Sequence, residues 1–269
     1  MSRNNTKEID DSQSYTEQRL VHDQSFRGIY PLYKKRADTL AVLLDRFREE
    51  YSLDSSVKLT YAGRLDPMAE GIVLVLAGED RFIKDSLLGL DKIYEVEVLL
   101  GIATDTQDPL GIITDTNFKD MERKAVEQTI AGMKTLTALP YPLYSSALVK
   151  GKPLFVHARA GTRVTLPQKK IKIYDAKLLE IKKVSVAALV RDVMVDIAKV
   201  IGDFRQEEIT KQWQTMLDEQ TEITVIKIRV HASSGTYMRS LAAWMGEQLH
   251  IPALAYRINR IQIGEYKNE

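Results

Sequence analysis

The sequence predicts an α+β fold, and three observations carry that prediction. Helical and strand periodicities are mixed along the chain without a repeating strand–helix unit. The segments 92–100 and 221–232 alternate apolar and polar residues, as half-buried strands do. The 269 residues are 44% hydrophobic and 28% charged, an ordinary globular balance with enough length for a sizeable core.

The elements follow in order. Residues 1–25 are polar and poor in aliphatics, so a loosely attached, disordered tail is expected there, with one domain over 26–269. Leu40, Leu43, Leu44 and Phe47 recur at helical spacing, predicting a helix over 38–51 with Asp38 as its N-cap. After the turn-rich TYAGRLDPMAEG, the apolar run IVLVLAG (72–78) reads as a buried strand, and KIYEVEVLL (92–100) as the next. GIATDTQDPLGIITD reads as loop, turn and short strand, 119–132 as helix and 171–181 as strand. Residues 184–220 break the strand-rich pattern. Val193, Ile197, Val200, Ile201 and Phe204 share one helical face, and a second helical pattern runs over 207–217, so a helical insertion is expected. Strand alternation returns at 221–232. Leu241, Ala242, Met245 and Leu249 then predict a helix capped by Thr236.

Composition removes several function classes. The chain has no cysteine, which excludes disulfides, Cys-bound zinc, Fe–S clusters and thiol catalysis. Four scattered histidines argue against a His-rich metal site, and 38 basic against 37 acidic residues argue against a bulk polycation. Any nucleic-acid surface therefore has to be local. No apolar run approaches the roughly 18 residues of a membrane span, and the polar N-terminus lacks a signal-peptide core. A cytoplasmic protein is expected.

Two segments look chemical. In AGRLDPMAEG, Pro67 holds Asp66 out of the helical region while Gly63 and Gly71 bracket the turn. An aspartate fixed on such a loop can serve as base or nucleophile, although Asp-Pro also starts ordinary turns. In SSGTYMRS, the Thr236 cap places Arg239 in the first helical turn, where a cation is disfavoured by roughly 0.3–1 kcal/mol. An anion nearby would offset that, and Asp66 is a candidate partner. Tyr94 is either a core residue or a platform for an unpaired base. TDTQDPLG fails the spacing of a calcium loop and reads as Asx-turn chemistry. Basic runs at Lys34–Arg36, Lys169–Lys172 and Lys182–Lys183 are solvated faces or parts of a phosphate track.

Together these segments resemble the TruB-type pseudouridine synthases, the tRNA pseudouridine-55 synthases. GRLDPMAEG is similar to the family's G-x-L-D-P-x-A-x-G motif, and KIYEVEVLLGIATDTQDPLG to its K-x-Y strand with L-G-x-x-T-D-T-x-D-x-x-G. PLYSSALVKGKPLFVHARAG carries the family's S-A and A-R-x-G elements with Phe155 at a usual Tyr. SSGTYMRSLAAWMGEQL resembles S-x-G-T-Y-I-R-x-L-x-x-D-L-G, with Trp244 at the usual Asp. The four occur in family order.

The resemblance implies a mixed, mostly antiparallel sheet flanked by helices. It implies Asp66 as the catalytic aspartate, paired with Arg239. Tyr94 would stack on a flipped uracil, and Tyr237 and Ile258 would line the base pocket. Tyr61 stands where the family carries a histidine that holds the flipped nucleotide, and Tyr33–Thr39 departs from the family's K-P-x-G loop. No metal, no organic cofactor and no obligate protein partner are implied. The partner would be RNA, most simply the tRNA T-arm, with uridine as the target. RINRIQIGEYKNE resembles the catalytic domain's last strand, so a member without the family's C-terminal PUA domain is expected. Whether Asp66 adds covalently or abstracts a sugar proton stays open. Two other readings stand beside this one: the same chemistry on another RNA, and a non-catalytic RNA-binding or RNA-folding protein of the same fold.

Overall fold

A computed structural model describes residues 26–217 and 220–267. The expected tail at 1–25 lies outside these residues. The strands are β1 (Gly28–Lys34), β2 (Leu59–Ala62), β3 (Ala69–Ala77), β4 (Lys92–Leu100), β5 (Ile102–Thr104), β6 (Ile113–Thr116) and β7 (Ala138–Pro140). They continue as β8 (Leu148–Val149), β9 (Lys152–Pro153), β10 (Gln168–Lys170), β11 (Ile173–Ser185), β12 (Glu222–Ala232), β13 (Ala253–Ile263) and β14 (Tyr266–Lys267). The helices are α1 (Leu40–Glu50), α2 (Lys84–Leu88), α3 (Arg123–Gly132), α4 (Leu154–Arg159), α5 (Val186–Lys199), α6 (Gln206–Thr215) and α7 (Met238–Leu249).

One eight-stranded sheet organises the domain, in the order β1-β3-β13-β4-β12-β11, with β2 added to β3 and β14 to β13. The β13–β3 pairing, over Ile258–Arg260 and Ala69–Gly71, is parallel; the sheet's other pairings are antiparallel. From Ile72 to Ala77 β3 is apolar because both of its faces are covered. Val73 and Val75 join the core beneath α1, α3 and α7, while Ile72, Leu74 and Leu76 pack on the opposite face with Ile263. β4 keeps the predicted alternation. Tyr94, Val96, Val98 and Leu100 face the main core, and Leu99 faces a second core built with α5 and α6.

Several local expectations are corrected. The cap of α1 is Thr39, whose Oγ1 accepts from the Val42 amide at 3.3 Å; Asp38 instead pairs with Arg46 at 2.7 Å. Helix α7 starts at Met238 with Tyr237 as cap residue. Thr236 donates its hydroxyl to Ser233 O at 2.8 Å, so it closes the preceding turn rather than capping the helix. Trp244 packs against the α3 side of the core.

The helical block at 184–220 connects two paired strands, since Ser185 of β11 lies opposite Glu222 of β12. Helix α5 ends at Lys199, so the periodicity through Val200, Ile201 and Phe204 overran a break. Val200 turns inward, whereas Ile201 is 68% exposed. Trp213 of α6 is fully buried in the second core and donates Nε1–H to Pro109 O at 3.1 Å.

Candidate active site

Asp66 sits on the six-residue loop between β2 and β3, and three parts of the molecule hold that loop. Lys34 enters from β1 and is fully buried, donating from Nζ to Lys35 O at 3.0 Å, Asp38 O at 2.8 Å and Pro67 O at 3.1 Å. The Ala37 amide adds a second bond to Pro67 O at 2.9 Å. Arg260 enters from β13, donating to Ile72 O at 2.7 Å, Gly63 O at 3.1 Å and Arg64 O at 3.3 Å. Gly71 permits this docking: its φ is +114°, and a Cβ there would lie 2.3 Å from Arg260 O.

The third hold is Arg239, from the first turn of α7. It is 3% exposed. Its Nε donates to Asp66 Oδ2 at 2.8 Å, Nη1 to Thr106 O at 2.8 Å and Nη2 to Tyr144 O at 3.1 Å. The misplaced helix cation thus finds the anion inferred from the sequence, and two carbonyls besides. Asp108 Oδ2 lies 3.7 Å from the same Nε. Burial pushes the Asp108 carboxyl above its ordinary range, against the pull of Arg239. The TDTQDPLG segment has the expected Asx chemistry: Asp108 Oδ1 accepts from the Leu110 amide at 2.9 Å.

Five of the six predicted site residues meet in one cleft of about 230 Å³. Asp66, Arg239, Tyr94, Tyr237 and Ile258 all line it. Tyr94 and Ile258 project from adjoining strands and are nearly buried. Tyr237 stands edge-on to Tyr141 at 5.5 Å, and burial followed by the Asp66 charge raises its phenol pKa, so it remains a donor at neutral pH. Tyr61 is not in this cleft. It lines an adjoining groove of about 590 Å³ that shares Asp66 and Arg239, with Arg64 Nη2 3.4 Å from its hydroxyl. Asp66 therefore stands where the small cleft and the larger groove meet.

Sequence reasoning missed several contributors. Lys92 lines the cleft 4% exposed, and its ammonium donates to Leu88 O at 2.9 Å, Ser234 Oγ at 3.1 Å and Leu90 O. Burial lowers the pKa values of Lys34 and Lys92 to about 8 each. Arg260 shares a strand face with Ile258, and a charge on that apolar face was the available signal. Ser145 Oγ is buried in the cleft without a protein partner.

The basic runs do not form one track. Lys34 is internal, and Arg36 is buried 2.7 Å from Asp196. Lys182 and Lys183 pair with Glu97 and Asp120. Lys169 lies against Gly235, which lines the cleft, but does not line the cleft itself. Among the described residues no group of His, Asp and Glu is arranged to hold a metal, and no helix is long and apolar enough to cross a membrane.

Residues 50–197 match the family described as TruB family pseudouridylate synthase (N terminal domain). The chain is similar to tRNA pseudouridine synthase B of Pediococcus pentosaceus, at 27% identity over 90% of this chain and 70% of the relative. The enzyme of the same name from Bacillus anthracis is 30% identical over 78% of this chain and 58% of its own length. Among solved structures, the fold is similar to that in a Cbf5–Nop10–Gar1 complex: TM-score 0.56, 18% identity, covering 91% of this chain and 51% of that one. The chain thus spans between about half and about 70% of the proteins it matches.

Proposed function

The chain belongs to the TruB family of pseudouridylate synthases, and from that premise we propose that it isomerises uridine to pseudouridine in tRNA, at the T-arm uridine, in the cytoplasm. The observation that carries this reading is the Asp66–Arg239 pair at the mouth of a small cleft floored by Tyr94 and Ile258. Binding alone requires no aspartate aimed at a base.

The cleft is small enough to take one nucleobase, so the target uridine has to leave its stack, at a cost of a few kcal/mol. Tyr94 and Ile258 offer an apolar platform that offsets part of this cost. Tyr237 O–H and Ser145 Oγ are polar groups available to the base edges. Arg239 orients Asp66 through Oδ2 and leaves Oδ1 for the reacting nucleotide. The glycosidic C–N bond breaks, the uracil turns within the cleft, and a C–C bond forms to the same sugar carbon. The ring carbon loses a proton and the freed ring nitrogen gains one, so the reaction is a balanced isomerisation. Asp66 acts either by covalent addition or by abstraction of a sugar proton. Lys169, packed beside Gly235 of the cleft wall, is a candidate to meet a phosphate.

The test is carbodiimide labelling and primer extension on an unmodified tRNA transcript, comparing the natural chain with Asp66→Asn. A stop at the T-arm uridine with the natural chain alone is the expected result. A stop at another uridine keeps the chemistry and changes the substrate. Tight, salt-sensitive tRNA binding by both proteins with no product refutes the enzymatic reading for this RNA.

A further inference from the structure

The open groove beside Asp66 has a wall supplied by the helical block, the segment from Ile201 to Arg205. That segment is fixed from within: Gln206 Nε2 donates to Val200 O at 3.1 Å and to Gly202 O at 2.6 Å. Arg205 sits in the left-handed region, φ 62°, a strained conformation for a residue with a side chain. Its guanidinium grips Asp105 with two bonds, Nη1 to Oδ2 at 2.8 Å and Nη2 to Oδ1 at 3.2 Å. The same guanidinium lies 4.5 Å above the ring of Tyr144.

One partner, Tyr144, touches the group that aims Asp66, and the other, Asp105, is next to a residue that does. Asp105 Oδ1 accepts from the Ile112 amide at 2.9 Å and so closes the 104–111 loop. The next residue, Thr106, offers its carbonyl to Arg239 Nη1, and Tyr144 offers its carbonyl to Nη2. Arg205 therefore holds, through side chains, the two backbone carbonyls that fix the guanidinium plane of Arg239. We propose that Arg205 is a positioning residue for Asp66, acting through the 104–111 loop and Tyr144 upon Arg239. This rests on the pseudouridine synthase reading.

A purely structural staple would look different. Helix α6 is already docked by Trp213, and Gln212 Oε1 accepts from the Ile113 amide at 2.8 Å. Loss of Arg205 leaves those anchors intact. It frees Asp105 and the adjoining Thr106, which lie outside the 109–113 stretch that those anchors hold.

The experiment compares single-turnover rate, tRNA affinity and amide hydrogen exchange in the full chain and in Arg205→Gln, Arg205→Lys, Asp105→Asn and the Arg205→Gln/Asp105→Asn double variant. Lys211→Gln, on the exposed face of α6, is the control. Arg205→Gln is expected to slow the chemical step about 10- to 100-fold, the scale of a small misplacement of a catalytic group. Affinity for tRNA should stay within about twofold of the natural chain. Asp105→Asn should match it, and the double variant should be no slower than either single one. Arg205→Lys should recover part of the rate, because an ammonium keeps the charge but loses the fork. Exchange should quicken at Leu110 and Ile112 while α6 stays protected. An unchanged rate, a loss confined to affinity, additive single losses, or unchanged exchange at the 104–111 loop overturns the proposal. A natural chain that makes no pseudouridine refutes the function reading instead; exchange at Leu110, Ile112 and Ala69, whose amide donates to Asp66 O at 3.1 Å, then decides the proposal alone.

Discussion

Two arginine–aspartate pairs lie beside the same groove, and they are built differently. Arg239 reaches Asp66 from the core, its side chain 3% exposed, and its three bonds go to three separate segments. Arg205 reaches Asp105 from a surface connection; the two side chains are 25% and 21% exposed, and both bonds go to one carboxylate. Desolvating a guanidinium costs several kcal/mol unless all its neighbours repay it, and Arg239 has that complement. A pair a quarter to a fifth exposed is screened by solvent and gains less in net stability than a fully buried, fully bonded one. The fold therefore depends on the first pair, and the second is free to serve the site with little effect on the fold.

Substitutions at the two pairs should differ sharply in their cost. The largest effect is expected for Arg239→Gln, which strands Asp66 and the carbonyls of Thr106 and Tyr144. Unfolding in urea should show a loss of about 3–5 kcal/mol, with pseudouridine formation abolished. Trp213→Ala follows, at about 3–5 kcal/mol for an emptied core site, also read by urea unfolding; if it costs nothing, the block is not part of the core. Arg205→Gln should lower stability by less than about 1 kcal/mol. A loss as large as that of Arg239→Gln would erase the distinction between the pairs. The smallest effect belongs to Lys211→Gln, within about 0.5 kcal/mol.

A pH measurement sharpens the same contrast. Lys34 and Lys92 have folded-state pKa values of about 8, lowered by burial from 10.5. Below pH 8 both are ammonium ions in folded and unfolded chains alike, and they contribute no pH dependence. Between pH 8 and 10.5 the unfolded chain binds more protons, so these two groups make stability rise with pH. Deprotonated Lys34 nevertheless loses one of the donors that hold the Asp66 loop. Activity is expected to fall above pH 8 while the melting temperature does not. Lys34→Met should remove the Lys34 share of the stability rise.

Much of the site was legible because its residues carry local contradictions. A cation in the first turn of α7 demanded an anion, and an aspartate before proline demanded a fixed turn. Those two demands met, and Tyr94, Tyr237 and Ile258 joined them. Lys34 and Arg260 were hidden because their partners are carbonyls of distant segments, up to 197 residues away. A basic run in sequence looks the same whether it is solvated or swallowed. The end of α5 was hidden for a related reason. Apolar spacing continues through Val200 and Ile201, and the break is set by Gly202 at φ +121° and Arg205 at φ 62°. The sheet's mostly antiparallel character followed from the resemblance. Its being mixed followed too, but not the place of the one parallel contact, three residues of register between β3 and β13.

That short parallel contact has a consequence for assembly. Strand β13 is inserted between β3 and β4, which precede it by more than 150 residues and do not pair with each other. Until residues 253–263 have been synthesised, the middle of the sheet is a slot with two open edges. Arg260 arrives with the same strand, so the aspartate loop gains its third clamp only at that moment. A ribosome-bound chain lacking β13 would hold the main aspartate motif with no finished pocket around it. Folding that depends on so distant a contact is slow, and the surroundings of Asp66 would be completed late in it.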